Sequence, residues 1–549
     1  MFVSMSNGAK PGRMKRFFQR LLWFLICLYA VCLAVYAVTG PIQFKVLGIM
    51  IRLNDLFTLV TIFLLASFFQ LLLALEWTRR KRVAAMVIVA ALVGLGVASE
   101  IGLRMAYPKE MSPVHYTHNP QAPNPKTSRG PYSATPREEA ATQILTQGGA
   151  ISWGAAVADW QELYPSRLMS LLGKEPRKYD MQVWSAPAAG TDWHGGILEL
   201  EGGKIAPDIV IYQWSVGDVE LWRRWPGADR APWQKGKVHK ILSRWSILYR
   251  WLDREIKEVF YRERREYATM IAENYLPGEW GWWSFEQAFH KWATIANTLA
   301  DRTILLTYPN LTHRGQHPYS KVTQSVKALA LPHVMKVPAA SLPKRTGAEE
   351  ESIGATYPEA RVARKGAAEP GILTFGPYLT MPGGAHKVVF NLKLLAPSPT
   401  PVEARAALLE VISGKGGKVL ASRMVHVGDF SASGQWQSFS FCFQVAPKIV
   451  HDIEFRIEWF GEVDLAVDTI DVPVNYRIEV VDPMERPRTS ETRAGLFDTH
   501  PSADAHSVLA MILADQILKP APVLPYNRPD HCAQGANEGV SMTSKVSVD

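Results

Sequence analysis

Only four cysteines, Cys27, Cys32, Cys442 and Cys532, occur in the 549 residues. Their spacing matches no zinc or iron–sulfur ligand set, and no disulfide framework can be read from them, so no metal and no cofactor is expected. The net charge of +9 would permit contact with nucleic acid. The basic residues nevertheless form no helix-long stripe with interleaved aromatics, and nucleic acid is set aside as a partner. Much of the basic excess lies at the edges of apolar runs instead.

Those runs are 21–39, 56–75 and 83–103, each at or near the ~20 helical residues that cross a bilayer. Lys10, Arg13, Lys15, Arg16 and Arg20 precede the first, and Arg79, Arg80, Lys81 and Arg82 fill the turn between the second and third. Positive flanks stay in the cytoplasm, so the N-terminus is expected inside, 40–55 in an exterior loop, and everything after 103 outside. This predicts a membrane protein with a large region outside the cytoplasm and the bilayer as its first partner. Glu100, near the exit of the third run, reads as an interface residue. The expected division is a cytoplasmic 1–20, three transmembrane helices over 21–104, and a Pro-rich spacer over 105–140. Soluble domains follow.

From 141 on, the pattern alternates buried strands with helices. Residues 144–147, 180–185, 209–214 and 303–308 read as buried parallel strands, and 160–172 as a helix. Between the last two strands, 238–275 reads as helical, and a further helix is expected to be capped by Ser284 with Gln287 three residues on. This insertion is rich in tryptophan, from Trp222 to Trp292, which packs cores, holds sugar faces and marks membrane interfaces. Over 371–474 the texture becomes short alternating strands, which predicts a β-sandwich, a jelly roll like that of carbohydrate-binding modules. Residues 504–518 return to a helix with one apolar face.

Two distant stretches carry the chemistry. Gly148-Gly149-Ala150-Ile151-Ser152-Trp153-Gly154 follows the first strand, and Phe497-Asp498-Thr499-His500-Pro501 through His506 precedes the last helix. Together they resemble the SGNH/GDSL hydrolase superfamily, in which a strand ends in Gly-Asp-Ser and a late loop supplies the base. The resemblance implies an α/β fold, a three-layer sandwich with a parallel sheet, interrupted by the inserted β-sandwich. Its parts would be 141–345 and 486–520, the insertion 346–485, and the tail 521–549. It makes His500 the base and Asp498 its orienter, and Gly190 an oxyanion donor through its backbone amide. Ala150 then stands in the nucleophile slot, Gly149 in the aspartate slot and Gly217 in the slot of the side-chain oxyanion donor. Asp218 and His194 would touch substrate.

Loss of a triad's nucleophile costs ~10⁶ in kcat in one protease, and loss of a side-chain oxyanion donor ~10²–10³. Retaining a base does not offset that. Ser152 is the alternative nucleophile, but two helical residues turn it about 200° from the slot. His313 and His317 form a competing His-Pro site in which Arg314 stands where an acid is needed. The resemblance extends to periplasmic proteins that add or remove O-acetyl groups on exopolysaccharides, those of alginate acetylation included. What is expected is a catalytically degenerate member that binds envelope polysaccharide or joins other membrane proteins in a complex; the rival is a working esterase or acetyltransferase using Ser152.

Overall fold

The computed structural model describes residues 42–46, 49–53, 91, 94–103, 105, 117, 120, 129–131, 141–155, 157–187, 189–219, 246–256, 271, 274–308, 319–352, 354–395, 401–414, 416–483 and 501–521. Two units are distinguished, 1–108 with 245–250, and the remainder.

In the first unit, β1 (Ile42–Val46) and β2 (Ile49–Leu53) pair as an antiparallel hairpin. Residues 94–103 are helical. Glu100 is engaged in a cap: its carboxylate accepts from Ser246 Oγ at 2.8 Å and from the Leu248 backbone N–H at 2.9 Å. The runs 21–39 and 56–75 lie outside the described residues, and 83–103 is described only from 91 onward. Among the described residues no helix is long and apolar enough to cross a membrane.

The elements that follow along the chain are β3 (Thr142–Gly148), α1 (Ala150–Trp153), α2 (Tyr164–Leu172), β4 (Tyr179–Ser185), α3 (Thr191–Ile205), β5 (Ile209–Trp214), α4 (Ile247–Ile256), α5 (Trp280–Leu299), β6 (Arg302–Thr307) and α6 (Ser320–Leu329). Next come β7 (His333–Pro338), β8 (Ala348–Glu351), β9 (Glu359–Ala363), β10 (Gly371–Met381), β11 (Gly384–Leu394), β12 (Arg405–Ser413), β13 (Lys418–His426), β14 (Gln437–Val445), β15 (Val450–Trp459) and β16 (Leu465–Val474). The last are β17 (Ile478–Val481) and α7 (Ala503–Leu518).

The protein is thus mixed α/β, with one parallel sheet and separate antiparallel sheets. Strands β3, β4, β5, β6 and β17 form the parallel sheet in the order β17-β6-β5-β3-β4. Successive residues of a strand face opposite sides, so Ile144, Ile209, Ile211 and Ile304 meet α2 and α7, while Leu145, Val210, Tyr212 and Leu305 meet α3, α5 and α6. Helices cover both faces, which is why β5 and the middle of β6 read as unbroken apolar runs.

The expected helix over 160–172 splits into a 3₁₀ turn, Trp160–Glu162, and α2. Pro165 has no N–H to give and is tolerated only in a first turn, so the α-helix begins at Tyr164. Ser284 does not cap α5, which starts earlier, with Glu279 as its N-cap. The buried face of Trp282, Phe285, Phe289 and Trp292 draws that extra turn into the helix.

The antiparallel strands form two sheets, β10-β15-β12-β13 and β14-β11-β16-β9-β8. Phe390 and Phe443 of one meet Phe455 of the other at ring separations of 6.4 and 6.2 Å. Both boundaries of this region differ from expectation. His333–Pro338, placed at the end of the first α/β segment, instead pairs antiparallel with β16 and belongs to the sandwich. Ile478–Val481, placed in the sandwich, is the fifth parallel strand, against β6. A bidentate pair holds it there: Arg302 Nε and Nη2 donate to Glu479 Oε1 and Oε2 at 2.8 and 2.7 Å. The same guanidinium donates to the carbonyls of Gln516, Ile517 and Lys519, closing the end of α7.

The Pro-rich stretch over 105–140 is also more than a spacer. Arg129 is fully buried and donates to the carbonyls of Thr117, Trp153, Gly154, Val157 and Ala158. A buried guanidinium is tolerated when its donors are met, and here it binds the stretch to the loop after α1.

Candidate functional site

From β3 the chain steps to β4 on one side of the sheet and then to β5 on the other. In open α/β sheets ligands bind at the carboxyl end of the strands where the order reverses in this way. That point is the end of β3, and Gly148, Gly149 and Ala150 occupy it. Ala150 is the first residue of α1 and is half-buried, with only a methyl group to present. Gly154 ends α1 in the left-handed region, φ 81°, which favours glycine.

Ser152 lies two residues on and is fully buried. Its hydroxyl contacts the Tyr164 hydroxyl at 2.8 Å and donates to Gln213 Oε1 at 3.1 Å, an oxygen that also accepts the Ser152 backbone N–H at 3.2 Å. With Ser152 donating to Gln213, Tyr164 is the donor to it; burial pushes the Tyr164 phenol well above its ordinary range, so it keeps its proton. Neither partner is a base. Gly148 is required beneath this contact, since a Cβ there would run into Ser152 Oγ. Tyr164 also links to the last helix: its backbone N–H donates to His506 Nδ1 at 3.0 Å, and the two rings stack at 5.8 Å. Ser502, the N-cap of α7, accepts from Ala505 N at 3.2 Å. The described end of the late motif therefore lies against α2. Asp498 and His500 fall outside the described residues, as do His313 and His317.

The opposite face of the sheet carries a different cluster. Asp218 is 2% exposed. Its Oδ2 accepts from Ser215 N at 2.9 Å and from the Tyr212 hydroxyl at 3.2 Å. Thr191, first residue of α3, contacts the Tyr212 hydroxyl at 2.8 Å and donates to the Asp218 carbonyl at 3.1 Å. Burial pushes the Asp218 carboxyl up to about 7, against the pull of its donors. A Cβ on Gly149 would lie 3.4 Å from Asp218 Oδ1, so the carboxyl stands against the backbone at position 149.

Gly190 is the extended N-cap of α3, φ −90°, ψ 175°, and half-buried. Gly217 is exposed, and a Cβ there would meet nothing within 4 Å. His194, expected to touch substrate, is fully buried, its ring 5.0 Å from those of both Trp193 and Tyr212. Neither ring nitrogen has a hydrogen-bond partner among the described residues. Burial holds this ring down to about 3, so it is neutral.

Tyr164, Gln213, Thr191 and Tyr212 were not singled out in the sequence. For Tyr212 and Gln213 a signal existed: two polar-tipped residues at the carboxyl end of an otherwise apolar strand. Of the tryptophans, Trp282 and Trp292 are core, and Trp292 Nε1 donates to Gln147 Oε1 at 2.9 Å. Among the described residues no His, Cys, Asp and Glu group is arranged to hold a metal.

No family model and no curated protein matches the chain. Among solved structures it is similar to TesA, at 13% identity over 34% of this chain and 73% of that one, TM-score 0.21. It is similar to a two-domain esterase (CEX) active on acetylated mannans, at 9% identity over 61% and 91%, TM-score 0.18. A third is the carbohydrate-binding module CBM6cm-2 of Cellvibrio mixtus lichenase 5A with cellotriose, at 9% identity over 26% and 97%, TM-score 0.19. At these scores none of them bears on what this chain does.

Proposed function

We propose that this chain is an SGNH-like protein of the bacterial envelope that has lost acyl transfer and acts in glycan binding or as a subunit of an envelope complex. The observation that carries the reading is Ala150: a methyl group stands at the switch point of the sheet where a nucleophile is needed. The nearby hydroxyl, Ser152, is committed to Tyr164 and Gln213. Acyl transfer needs a hydroxyl in contact with a base, and this one faces a phenol and an amide oxygen. Anchoring in the inner membrane rests on the three apolar runs and their basic flanks. The exposed side chains of Leu95, Val97, Ile101 and Met105 fit a lipid-facing surface.

The test is hydrolysis of p-nitrophenyl acetate by the purified chain. Turnover at the buffer rate is expected, unchanged in Ser152→Ala; turnover well above it that vanishes in Ser152→Ala would overturn the reading. Ala150→Ser with Gly217→Asn should then return measurable, His500-dependent activity, because Gly217 leaves open space for a side chain. Gly149 is left unchanged in that variant, since Gly149→Asp would set a second carboxylate beside Asp218.

A further inference from the structure

The two crossings between the parallel sheet and the sandwich, one leading into β7 and the other linking β16 to β17, border a cavity of about 700 Å³. One face of α5 and the turn between β10 and β11 complete it. The volume is that of a small-molecule site, and it is separate from the end of β3.

Its chemistry is selective. Most of the lining's hydrogen-bonding capacity is already used internally. His290 Nε2 donates to the Thr380 carbonyl at 2.9 Å, which leaves its Nδ1 to accept the Tyr476 hydroxyl at 2.6 Å. Burial holds the His290 ring down to about 4, so it adds no charge. The Asn297 amide is taken by Thr303 Oγ1 at 2.8 Å and by the Arg477 backbone N–H at 2.6 Å. What remains is apolar wall, including Met381, Pro382 and Val474, the buried His333 Nε2, 3.4 Å from Glu286 Oε1, and two cations, Lys387 and Arg477. Among the described residues, no aspartate or glutamate lines the cavity. Neither cation has a carboxylate partner among the described residues; the Arg477 guanidinium donates to the Asn297 carbonyl at 2.8 Å.

A sugar needs hydrogen-bond partners around its whole body, which the stretch formed by Met381, Pro382 and Val474 does not offer, and an inorganic anion would leave that apolar stretch unused. We propose that the cavity binds an amphipathic carboxylate, its apolar body against Met381, Pro382 and Val474 and its charge on Lys387 and Arg477. Neither the sheet's cleft nor its lost chemistry takes part.

The probe is 4-phenylbutyrate, titrated calorimetrically into the full chain in detergent micelles, with the empty-micelle titration subtracted. Saturable binding is expected. 4-Phenylbutyramide and acetate should each bind at least about tenfold more weakly, since one lacks the charge and the other the apolar body. Lys387→Met and Arg477→Met should each weaken binding about tenfold, while Lys387→Arg stays within about threefold. Ala385→Trp, which fills the cavity from its lining, should abolish binding. Absence of saturable binding overturns the proposal, and so does amide or acetate binding as tight as that of phenylbutyrate. Wild-type affinity in both methionine variants, or in Ala385→Trp, overturns it as well.

Discussion

Tyr212 and Gln213 are neighbours on one strand, yet they end in opposite kinds of environment. Gln213 points towards α2 and closes a neutral network with Ser152 and Tyr164. Tyr212 points towards α3 and donates to a buried carboxyl, Asp218, beside a histidine ring whose nitrogens are unmatched among the described residues. The first side holds the turn after β3 through hydrogen bonds among neutral groups. The second holds a group that changes charge near neutrality, against the backbone at position 149.

The contrast breaks most severely at Gly148. Gly148→Ala drives a Cβ into Ser152 Oγ and towards Gln213 Oε1, and overpacking of this kind should cost about 3 kcal/mol. Urea unfolding should show the midpoint falling with an unchanged slope. A variant as stable as the parent would mean that the Ser152 network is loose.

The other side should respond to pH. From the ordinary carboxylate range up to about 7, folded Asp218 keeps a proton that the unfolded chain has lost. Stability therefore falls as pH rises through that window, and the loss is complete above it. Asp218→Asn should remove this component. The variant's stability relative to the parent should improve between pH 5 and pH 8 by something on the order of 2 kcal/mol, read from unfolding free energies at each pH. Parallel profiles for the two proteins would show that Asp218 is charged throughout.

The smallest effect is expected at His194. His194→Phe replaces a buried ring with unmatched nitrogens by an apolar ring of similar shape, and the Gln147 bond to its backbone carbonyl is kept. Stability should rise by up to about 1 kcal/mol. A clear fall in Tm would show that the nitrogens are engaged.

Much of the architecture was legible because burial leaves a periodic trace. The runs 209–212 in β5 and 304–306 in β6 are apolar without alternation, as strands covered on both faces must be. The alternation of β14 and β15 likewise announced sheets with two unlike sides. His333–Pro338 and Ile478–Val481 were misassigned because a short strand carries no mark of its partner. The first pairs with β16 and the second with β6 through contacts far away in the chain. The stretch over 105–140 misled similarly: its prolines describe its local stiffness, whereas Arg129 describes where it binds.

The same division runs through the site. The sequence by itself determined that a methyl group, and no hydroxyl, follows the first strand, and that Gly190 and Gly217 bring no side chain. These are facts of covalent identity. Only the tertiary structure decided that Ser152 is spent on Tyr164 and Gln213, that Asp218 is buried against the backbone at position 149, and that Lys387 and Arg477 line one cavity. The partners in each case come from separate segments, and desolvation and hydrogen-bond geometry exist only once the chain has brought them together.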